Sequence, residues 1–338
     1  MKRIGVLGAG TWGMALARML CVNGHTVTVW SAIEREIDEF SATRRHPNLP
    51  GMVIPDEITF TKDIAVACTG MDILLFAVPS PFVRTTARKA APYVRDHQII
   101  VDVAKGIESD TLLTMTGIIA EEIKNPTVKL VALSGPTHAE EVARDLATTI
   151  VSACEDETAA RQVQDVFWGT CMRVYTNADT LGVELCGAMK NIIALASGIA
   201  TGMGLGDNAK AALITRGIVE ISRLGTAMGC NAQTFGGLAG IGDLIVTATS
   251  MHSRNNRCGM LIGQGVAPAE AVKQVGMVVE GINALPAAMH LAEKYGVELP
   301  IMEAVNDIVN HGADPRQTVA QLMGRDKKPE LPQGSIQE

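Results

Sequence analysis

The fold of this chain is decided by the stretch Ile4-Gly5-Val6-Leu7-Gly8-Ala9-Gly10-Thr11-Trp12-Gly13-Met14-Ala15-Leu16-Ala17. It places a G-x-G-x-x-G turn between a short apolar strand and a helix of small residues, and this pattern is typical of a dinucleotide site. Gly8 allows the tight turn, Gly10 lets the backbone approach a pyrophosphate, and Gly13 lets the helix pack close to the strand. The helix start presents free N–H groups to the anion. The alternative is a glycine-rich loop that only turns the chain.

The composition indicates a globular protein of about two domains. Of the 338 residues, 47% are hydrophobic and 19% are charged, which is enough apolar material for substantial cores. The net charge is −7, and no run of Lys or Arg exceeds two residues. Broad binding to nucleic acid or to an acidic membrane surface is therefore excluded. An anionic substrate has to be held by a few local cations.

Cysteine usage argues against a disulfide framework and against a zinc site. The seven cysteines are odd in number and never occur in C-x-x-C spacing, which fits a reducing cytoplasm, and we expect no metal site. The basic start at Met1 resembles a signal peptide, but its glycine spacing is already explained by the strand and the phosphate turn. The uncharged stretch 191–206 is too short and too broken by glycines to span a bilayer. We therefore predict a cytoplasmic protein without membrane insertion.

Strand-like and helical runs alternate through the first half of the chain, which predicts a doubly wound, mostly parallel sheet. From Asn177 onward, β-branched runs give way to apolar helical patterns at Leu181–Ile199, Ala209–Met228 and Ile282–Tyr295. The prediction is an α/β chain with a Rossmann-type dinucleotide-binding domain over residues 1–178, an all-helical substrate-binding domain over 179–327 and a polar tail over 328–338. The predicted strands are Arg3–Leu7, Thr26–Trp30, Ile58–Phe60, Asp72–Val78, Gln98–Val103, Val128–Leu133, Thr148–Ala153 and Met172–Tyr175.

The end of the second strand does not settle which nicotinamide dinucleotide binds. In this fold an acidic residue there binds the adenosine ribose, whereas an arginine favours the 2′-phosphate. Here the strand ends at Trp30 and is followed by Ser31-Ala32. Glu34 and Arg35 come a turn later, where a solvated helix face is an equally good account, so NAD and NADP both stay open. The next loop, 44–56, is too rich in proline for a helix and is expected to lie over the sheet edge, without assigned chemistry.

Two further segments are expected at the carboxyl edge of the sheet, where ligands bind in this fold. Lys105 follows the fifth strand and precedes a glycine, so we expect its amine in the crevice rather than on the surface. After the sixth strand, Thr137 and Glu140 have capping-box spacing for a helix that begins there, and a helix start also binds anions. His138 is a general base in principle, but an exposed or capping-turn histidine is the simpler interpretation.

Lys190 stands inside an otherwise apolar helix, and a charge there needs a reason. A lysine base near neutral pH requires a pKa lowered by about three units, which burial and a neighbouring cation supply. Lys105 is a candidate for that cation, and a lysine snorkelling from a helix end is the alternative. The residues on the same helix face are small and leave room beside the amine for a ligand. They are Gly187, Ala194, Ser197 and Gly198.

Two later segments supply a carboxylate and a candidate phosphate site. The glycine-rich loop 236–242 delivers Asp243, which would hold a substrate hydroxyl or the Lys190 amine; a helix N-cap aspartate is the competing account. Ser253 as an N-cap and Arg254 as a bidentate fork would form the phosphate site that this acidic chain otherwise lacks. A plain surface arginine is the alternative.

Taken together, these motifs closely resemble the bacterial NAD(P)-dependent glycerol-3-phosphate dehydrogenases over nearly the whole chain, to about residue 325. The motifs in the family's order and spacing are Gly8–Gly13, Val78-Pro79-Ser80, Ala104-Lys105-Gly106, Ser134-Gly135-Pro136, Lys190-Asn191, Gly240–Asp243, Ser253-Arg254-Asn255 and Val279-Glu280-Gly281. The resemblance implies that Lys190 is the proton acceptor. It implies a substrate site of Lys105, Gly135, Thr137, Lys190, Asp243, Ser253, Arg254 and Asn255. It implies nucleotide contacts from Thr11, Trp12, Lys105, Ala139, Arg254, Val278 and Glu280.

The resemblance also implies a reaction, namely reversible hydride transfer between C2 of sn-glycerol 3-phosphate and the nicotinamide of NAD or NADP. Lys190 would take the hydroxyl proton and return it during reduction of dihydroxyacetone phosphate, and the product would feed phospholipid synthesis. The chain departs from the family pattern at His138, where an aromatic residue is common, and at Ser31-Ala32, where a basic pair is common. The oligomeric state is left open, with a homodimer as the working expectation.

Two rival functions are weighed against this one. A hydroxy-acid dehydrogenase of the 6-phosphogluconate type shares the cofactor turn and an interior lysine–asparagine helix, but its carboxylate substrate is expected to need a second cationic clamp. A non-catalytic nucleotide-binding protein has no use for a lysine buried on a small-residue face.

Overall fold

The computed structural model describes residues 1–327 and 329–330, so the predicted polar tail 328–338 lies outside the described residues except for 329–330. Within them, eight strands form one sheet in the order β3-β2-β1-β4-β5-β6-β7-β8. Neighbouring strands run parallel except for β6 and β7, which confirms the predicted doubly wound, mostly parallel sheet. The strands are β1 (Arg3–Leu7), β2 (Thr26–Trp30), β3 (Thr59–Thr61), β4 (Ile73–Phe76), β5 (Ile99–Asp102), β6 (Lys129–Ser134), β7 (Thr148–Ala153) and β8 (Met172–Asn177).

The helices cover both faces of this sheet and then form the second half of the molecule. In the described chain they are α1 (Thr11–Val22), α2 (Glu34–Thr43), α3 (Ile64–Cys68), α4 (Val83–Ala90), α5 (Met115–Ile123), α6 (Ala139–Val142), α7 (Glu157–Val166), α8 (Thr180–Gly202), α9 (Asp207–Ala227), α10 (Ala232–Phe235), α11 (Asp243–Thr249), α12 (Arg254–Gly263), α13 (Pro268–Val275), α14 (Glu280–Asn283), α15 (Leu285–Tyr295), α16 (Pro300–Asn310) and α17 (Pro315–Met323).

The central strands are apolar on both faces because each face is covered by helices. Val6 and Leu75 point to one side and pack in the same core as Leu16 of α1. The neighbouring residues Leu7 and Leu74 point to the other side, into a second core, as the two-residue period of a strand requires. The covered faces leave the carboxyl edge of the sheet as the place where loops gather and ligands bind.

Helix α8 is the centre of the helical half, and every residue from 182 to 200 in it is buried. Its 23 residues are long and apolar enough to cross a bilayer, but its most apolar window is 100% buried inside the protein, as in the core helix of a globular domain. The single helix predicted for 282–295 is wrong, because α14 ends at Asn283 and α15 begins at Leu285. Pro286 lacks the N–H that a continuous helix would need.

We propose that the two domains meet at 178/179. Strand β8 ends at Asn177, and α8 begins at Thr180. Asp179 is the N-cap between them, and its carboxylate accepts a hydrogen bond from the Gly182 N–H at 2.9 Å. The hydrophobic core of the helical half, which includes Leu195, is separate from the two cores of the sheet.

Helices α8 and α12 cross at backbone contact distance. A Cβ added to Gly198 of α8 would lie 2.2 Å from a carbonyl oxygen of α12, and a Cβ on Gly259 of α12 would lie 2.2 Å from a carbonyl oxygen of α8. One turn later, Gly202 and Gly263 make the same close approach. Since only glycine fits there, these four positions fix how α12, and the residues at its start, sit against α8.

Candidate active site

The glycine turn after β1 leaves space above the start of α1. Gly8 has φ +123, a conformation that favours glycine, and a Cβ on Gly13 would lie 2.2 Å from the Gly8 carbonyl oxygen. Around Gly10, by contrast, a Cβ would meet nothing within 4 Å. Gly10 is also the N-cap of α1, and no side chain caps this helix. The first N–H groups of α1, beginning at Thr11, therefore face an open space suited to an anion.

The proline-rich loop 44–56 reaches this turn, which the sequence analysis did not anticipate. The loop contains no helix, as predicted. The amide nitrogen of Asn48 lies 3.4 Å from Thr11 Oγ1, and His46 is buried. The loop thus lies beside the glycine turn.

Two lysines from different halves of the molecule share one buried carboxylate. Lys105, after β5, donates to Asp243 Oδ2 at 2.6 Å and to the Gly135 carbonyl oxygen at 3.1 Å. Lys190 of α8 donates to Asp243 Oδ1 and to Thr247 Oγ1 at 2.6 Å. The Thr247 hydroxyl in turn donates to the Asp243 carbonyl oxygen at 2.7 Å, so it can only accept from the Lys190 amine. The competing N-cap account of Asp243 is wrong, since the N-cap of α11 is Gly242.

The surroundings of Lys190 bring the pKa of its amine close to 7. Burial lowers the pKa of Lys190 to about 7; the carboxylate of Asp243 opposes this change, and the charge of Lys105 adds to it. Burial alone would raise the pKa of Asp243, but the two ammonium groups outweigh burial and lower it. Asp243 therefore stays ionised while Lys190 can gain and lose a proton near pH 7. Lys105 is the neighbouring cation that the sequence predicted.

The snorkelling account of Lys190 is wrong, because its side chain is only 6% exposed and its amine is bonded inside the protein. The small residues on its helix face do not all make room for a ligand. Gly198 contacts the backbone of α12, and Ser197 donates to the Ala248 carbonyl oxygen at 2.9 Å. That part of the prediction is wrong, since these small side chains allow close helix packing. Gly187 does lie next to Lys105.

A chain of amides connects α8 to the starts of α12 and α14. Asn255 donates to Asn191 Oδ1 at 2.9 Å and accepts from the Gly281 N–H at 2.8 Å. Next to Gly281, Glu280 accepts a 2.7 Å hydrogen bond from the hydroxyl of Ser80, which follows β4. Glu280 therefore links the helical half to the carboxyl edge of the sheet, and the partly buried Val278 lies two residues before it.

Arg254 lies at the N-terminus of α12, next to its N-cap. Ser253 caps the helix by accepting from the Asn256 N–H at 3.2 Å, as predicted. The guanidinium of Arg254 makes no hydrogen bond or ion pair with any residue in 1–327 or 329–330. Burial lowers its pKa, while Glu280 and Glu140 favour its charge. A mostly buried arginine without an ion pair, beside free helix N–H groups, is suited to bind an anion.

The capping box predicted at Thr137 and Glu140 is wrong. Helix α6 begins at Ala139 with His138 as its N-cap, and no side chain caps it. Thr137 instead donates to the Gly135 carbonyl oxygen at 3.1 Å. Since Lys105 donates to the same oxygen, this turn lies directly beside the lysine cluster. His138 is a partly buried capping-turn residue rather than an exposed one.

The structure thus brings the predicted substrate residues to one place, between the sheet edge and the starts of α11 and α12. Thr247 belongs to the hydrogen-bond network of the two lysines, and Asn191 belongs to the chain of amides, but neither was predicted as a site residue. Thr247 had a signal, because it follows Asp243 by one helical turn and so shares its face. The contact of Asn48 with Thr11 had no such signal in the sequence, because the composition of a proline-rich loop does not specify which turn the loop will contact.

Comparison with known families agrees with this geometry over most of the chain. Residues 3–160 match the model of the NAD-dependent glycerol-3-phosphate dehydrogenase N-terminus, and residues 179–320 match that of the NAD-dependent glycerol-3-phosphate dehydrogenase C-terminus.

Individual relatives cover the chain almost completely. A "Glycerol-3-phosphate dehydrogenase [NAD(P)+] 2" of Lactobacillus delbrueckii subsp. bulgaricus is 66% identical over 98% of this chain and 99% of its own length. A glycerol-3-phosphate dehydrogenase [NAD(P)+] of Agathobacter rectalis is 52% identical over 97% of each chain. The crystal structure of glycerol-3-phosphate dehydrogenase from Coxiella burnetii is 35% identical, covers 96% of this chain and 99% of its own, and superposes with a TM-score of 0.91.

Proposed function

Because the chain belongs to the NAD-dependent glycerol-3-phosphate dehydrogenase family, we propose that the lysine cluster and the start of α12 form its active site. The protein is an NAD(P)-dependent oxidoreductase that interconverts dihydroxyacetone phosphate and sn-glycerol 3-phosphate, and its product feeds glycerophospholipid synthesis. The observation that carries the site assignment is a buried lysine whose pKa is about 7. The residue after this lysine, Asn191, is hydrogen-bonded to Asn255, the residue after the arginine without an ion pair.

The glycine turn fits the dinucleotide. Gly10 leaves open space, and the first N–H groups of α1 are free of any side-chain cap, so they can hold the pyrophosphate. When bound, the nicotinamide supplies or accepts the hydride. We assign the remaining nucleotide contacts to residues around this crevice. They are Gly8, Thr11, Trp12, Gly13, Lys105, Ala139, Arg254, Val278 and Glu280.

Lys190 is the proton-transfer residue in this proposal. In its neutral form the amine takes the proton of the C2 hydroxyl during oxidation, and as an ammonium it returns the proton to the carbonyl oxygen during reduction. Asp243 and Thr247 fix the position of the amine through two hydrogen bonds. Lys105 helps to keep the pKa of Lys190 low.

The phosphate is held at the start of α12. The free N–H groups of the helix and the guanidinium of Arg254 supply positive charge without competition from an ion pair, and Ser253, Asn255, Gly135 and Thr137 lie around them. Binding the phosphate dianion there orients the reacting carbon, so binding energy from the remote phosphate contributes to turnover.

The loop after β2 contains no Lys or Arg held by hydrogen bonds in a position to bind a 2′-phosphate. Ser31 is buried and donates to Glu36 Oε2 at 2.7 Å, while Arg35 is exposed. We therefore propose that both NADH and NADPH serve. A cytoplasmic location and a homodimer are part of the same proposal.

The test is a substrate panel followed by nicotinamide absorbance. Dihydroxyacetone phosphate, which accepts a hydride, is offered with NADH and with NADPH. The compounds that donate a hydride, 6-phosphogluconate and a simple 2-hydroxy acid, are offered with NAD+ and with NADP+. We expect turnover with dihydroxyacetone phosphate only, and specificity constants for NADH and NADPH within about a hundredfold, or about 2.7 kcal/mol, of each other. Faster turnover of a hydroxy acid would contradict the function, and a thousandfold preference for one dinucleotide would contradict the account of the β2 loop.

A further inference from the structure

A buried polar atom beside the proposed phosphate site has no role in the mechanism above. The Nε2 atom of His138 is buried and has no hydrogen-bond partner among the described residues. Buried polar atoms in folded proteins are nearly always paired, so an unpaired one indicates that a ligand or an ordered water supplies the partner. His138 stands between Thr137, proposed to contact substrate, and Ala139, proposed to contact the nucleotide.

The ring of His138 lies against the segment that begins α12. Its centroid is 5.5 Å from that of His252, the residue before the N-cap Ser253. Glu140, in the first turn of α6, acts electrostatically on both His138 and Arg254. The start of α6 and the start of α12 therefore face the same space, where the phosphate is proposed to bind.

We propose that His138 Nε2–H donates a hydrogen bond to the phosphate anion held by Arg254 and the start of α12. The proposal rests on the function assigned above. His138 is then a positioning residue for an anion, distinct from Lys190, which moves the proton. The phosphate belongs either to the three-carbon substrate or to the dinucleotide, and kinetics separate these two sources.

The charges around His138 make this hydrogen bond sensitive to pH. Burial lowers the pKa of the ring; Glu140 and Glu141 on its own helix raise it, and His252 before α12 and Lys190 on α8 lower it. The free ring is thus mainly neutral at pH 7 and still carries one N–H donor. A bound phosphate favours the charged ring, so the contribution of His138 to binding should grow as the pH falls.

The experiment compares His138→Phe, which keeps a ring and loses the donor, with His138→Gln, which keeps a donor. His252→Phe, a change to the exposed ring of the same pair, is the matched control. Steady-state kinetics with dihydroxyacetone phosphate and NADH should show one Michaelis constant raised about tenfold in His138→Phe, with kcat within about threefold of the parent. The constant that rises, for substrate or for nucleotide, identifies the phosphate. His138→Gln should recover most of the loss, and His252→Phe should resemble the parent.

A pH series separates a hydrogen bond to phosphate from a merely structural role. Ionisation of the substrate phosphate and of Lys190 is common to parent and His138→Gln, so their difference isolates the histidine. The parent's advantage in the affected Michaelis constant should increase from pH 8 to pH 6. The proposal is overturned if both constants of His138→Phe lie within twofold of the parent, if His138→Gln is as impaired as His138→Phe, or if the advantage is independent of pH.

A parent protein that fails to reduce dihydroxyacetone phosphate would contradict the proposed function and not the role of His138. In that case, calorimetric titration of the parent and of both His138 variants with inorganic phosphate tests the anion contact directly. Weaker phosphate binding in His138→Phe alone supports the proposal, and equal binding by all three proteins overturns it.

Discussion

At the scale of single residues, the chemistry depends on a buried excess of positive charge. Lys105 and Lys190 share the one carboxylate of Asp243, so the site carries one more cation than anion. Because burial and a neighbouring like charge both disfavour a charged amine, one of the two amines loses its proton more easily. Lys190 is the more buried of the two lysines, and the pKa of its amine is lowered to about 7. An amine of this kind can both accept and return a proton near neutral pH.

Replacing Lys190 with Met should remove proton transfer while keeping the fold. General acid–base groups contribute about a hundred- to ten-thousandfold, so we expect kcat to fall at least about a hundredfold. His138→Phe, as stated above, should keep kcat within about threefold of the parent. Parallel kinetics decide between the two residues, with circular dichroism and nucleotide titration as controls. An active Lys190→Met enzyme beside an inactive His138→Phe enzyme would reverse the assignment.

The lowered pKa of Lys190 predicts opposite pH dependence in the two reaction directions. Oxidation needs the neutral amine, so kcat/KM for glycerol phosphate should rise with pH and level off above about 7, whereas reduction should decline above about 7 because the ammonium is lost. His138→Phe retains Lys190, so the pH dependence of its kcat should match that of the parent. A limb near pH 10.4, the value of a free lysine, would show that burial does not control this amine.

Arg254→Ala should weaken the hold on the substrate phosphate and slow turnover, because the same contact orients the carbonyl. Losing a charge-assisted bidentate contact is expected to cost about 3 kcal/mol of transition-state binding free energy. This loss lowers kcat/KM by somewhat more than about a hundredfold. Arg257→Ala is the matched control, since Arg257 is an exposed arginine of the same helix and should leave the kinetics unchanged. Parameters for Arg254→Ala within threefold of the parent would exclude this phosphate site.

At the scale of the elements, the site is built from strand ends and helix starts that packing holds in place. The turn after β1 and the N-cap of α12 are local structures, encoded in a few consecutive residues. The position of α12 is a different matter. It depends on the glycine crossing with α8, where a side chain as small as a methyl group would meet a backbone carbonyl oxygen.

Gly259→Ala should therefore push α12 away from α8. A Cβ there would lie 2.2 Å from the Leu195 carbonyl oxygen, and overpacking of this kind costs about 1–3 kcal/mol of unfolding free energy. We expect a higher Michaelis constant for dihydroxyacetone phosphate as well, because Arg254 moves with the helix. Urea denaturation and steady-state kinetics measure the two effects.

The control for this substitution is Gly206→Ala at the start of α9, where a Cβ meets nothing within 4 Å and φ is −69. That change should cost less than about 1 kcal/mol and leave the kinetics intact. If the two alanine variants were equally stable, the α8–α12 crossing would be looser than the structure indicates.

At the scale of the whole molecule, Asp243 joins the two halves. Its carboxylate accepts from Lys105, which follows the sheet strand β5, and from Lys190 in the helical half. The bond between Ser80 and Glu280 makes a second link between the same parts. The reacting groups are therefore aligned only when both halves are folded and packed together.

Asp243→Asn should destabilise the whole protein, because it leaves the buried Lys190 and the partly buried Lys105 without a counter-charge. Removing one partner of a buried charge pair typically costs about 3–5 kcal/mol. We expect the free energy of unfolding, measured by urea denaturation, to fall by about this amount. Asp207→Asn is the control, since Asp207 is fully exposed and pairs with Lys210 at 3.7 Å; exposed pairs contribute little. Equal denaturation midpoints for the two variants would show that Asp243 does not join the halves.

Local sequence patterns determined a large part of this protein. The turn at Gly8–Gly13, the N-cap at Ser253 and the alternation of strands with helices are each specified by neighbouring residues, because backbone conformation and burial periodicity act over short distances. The family was also recognisable, since its motifs recur in order and spacing along one chain.

Only the tertiary structure decided which of those segments contact each other. The failed capping box at Thr137, the packing role of Gly198 and the part of Thr247 in the lysine network all depend on contacts between distant segments. Asp243 meets a lysine 138 residues away in sequence, and no local pattern encodes that approach. Topology sets it, and the charge it brings together lowers the pKa of Lys190 because the cluster is buried.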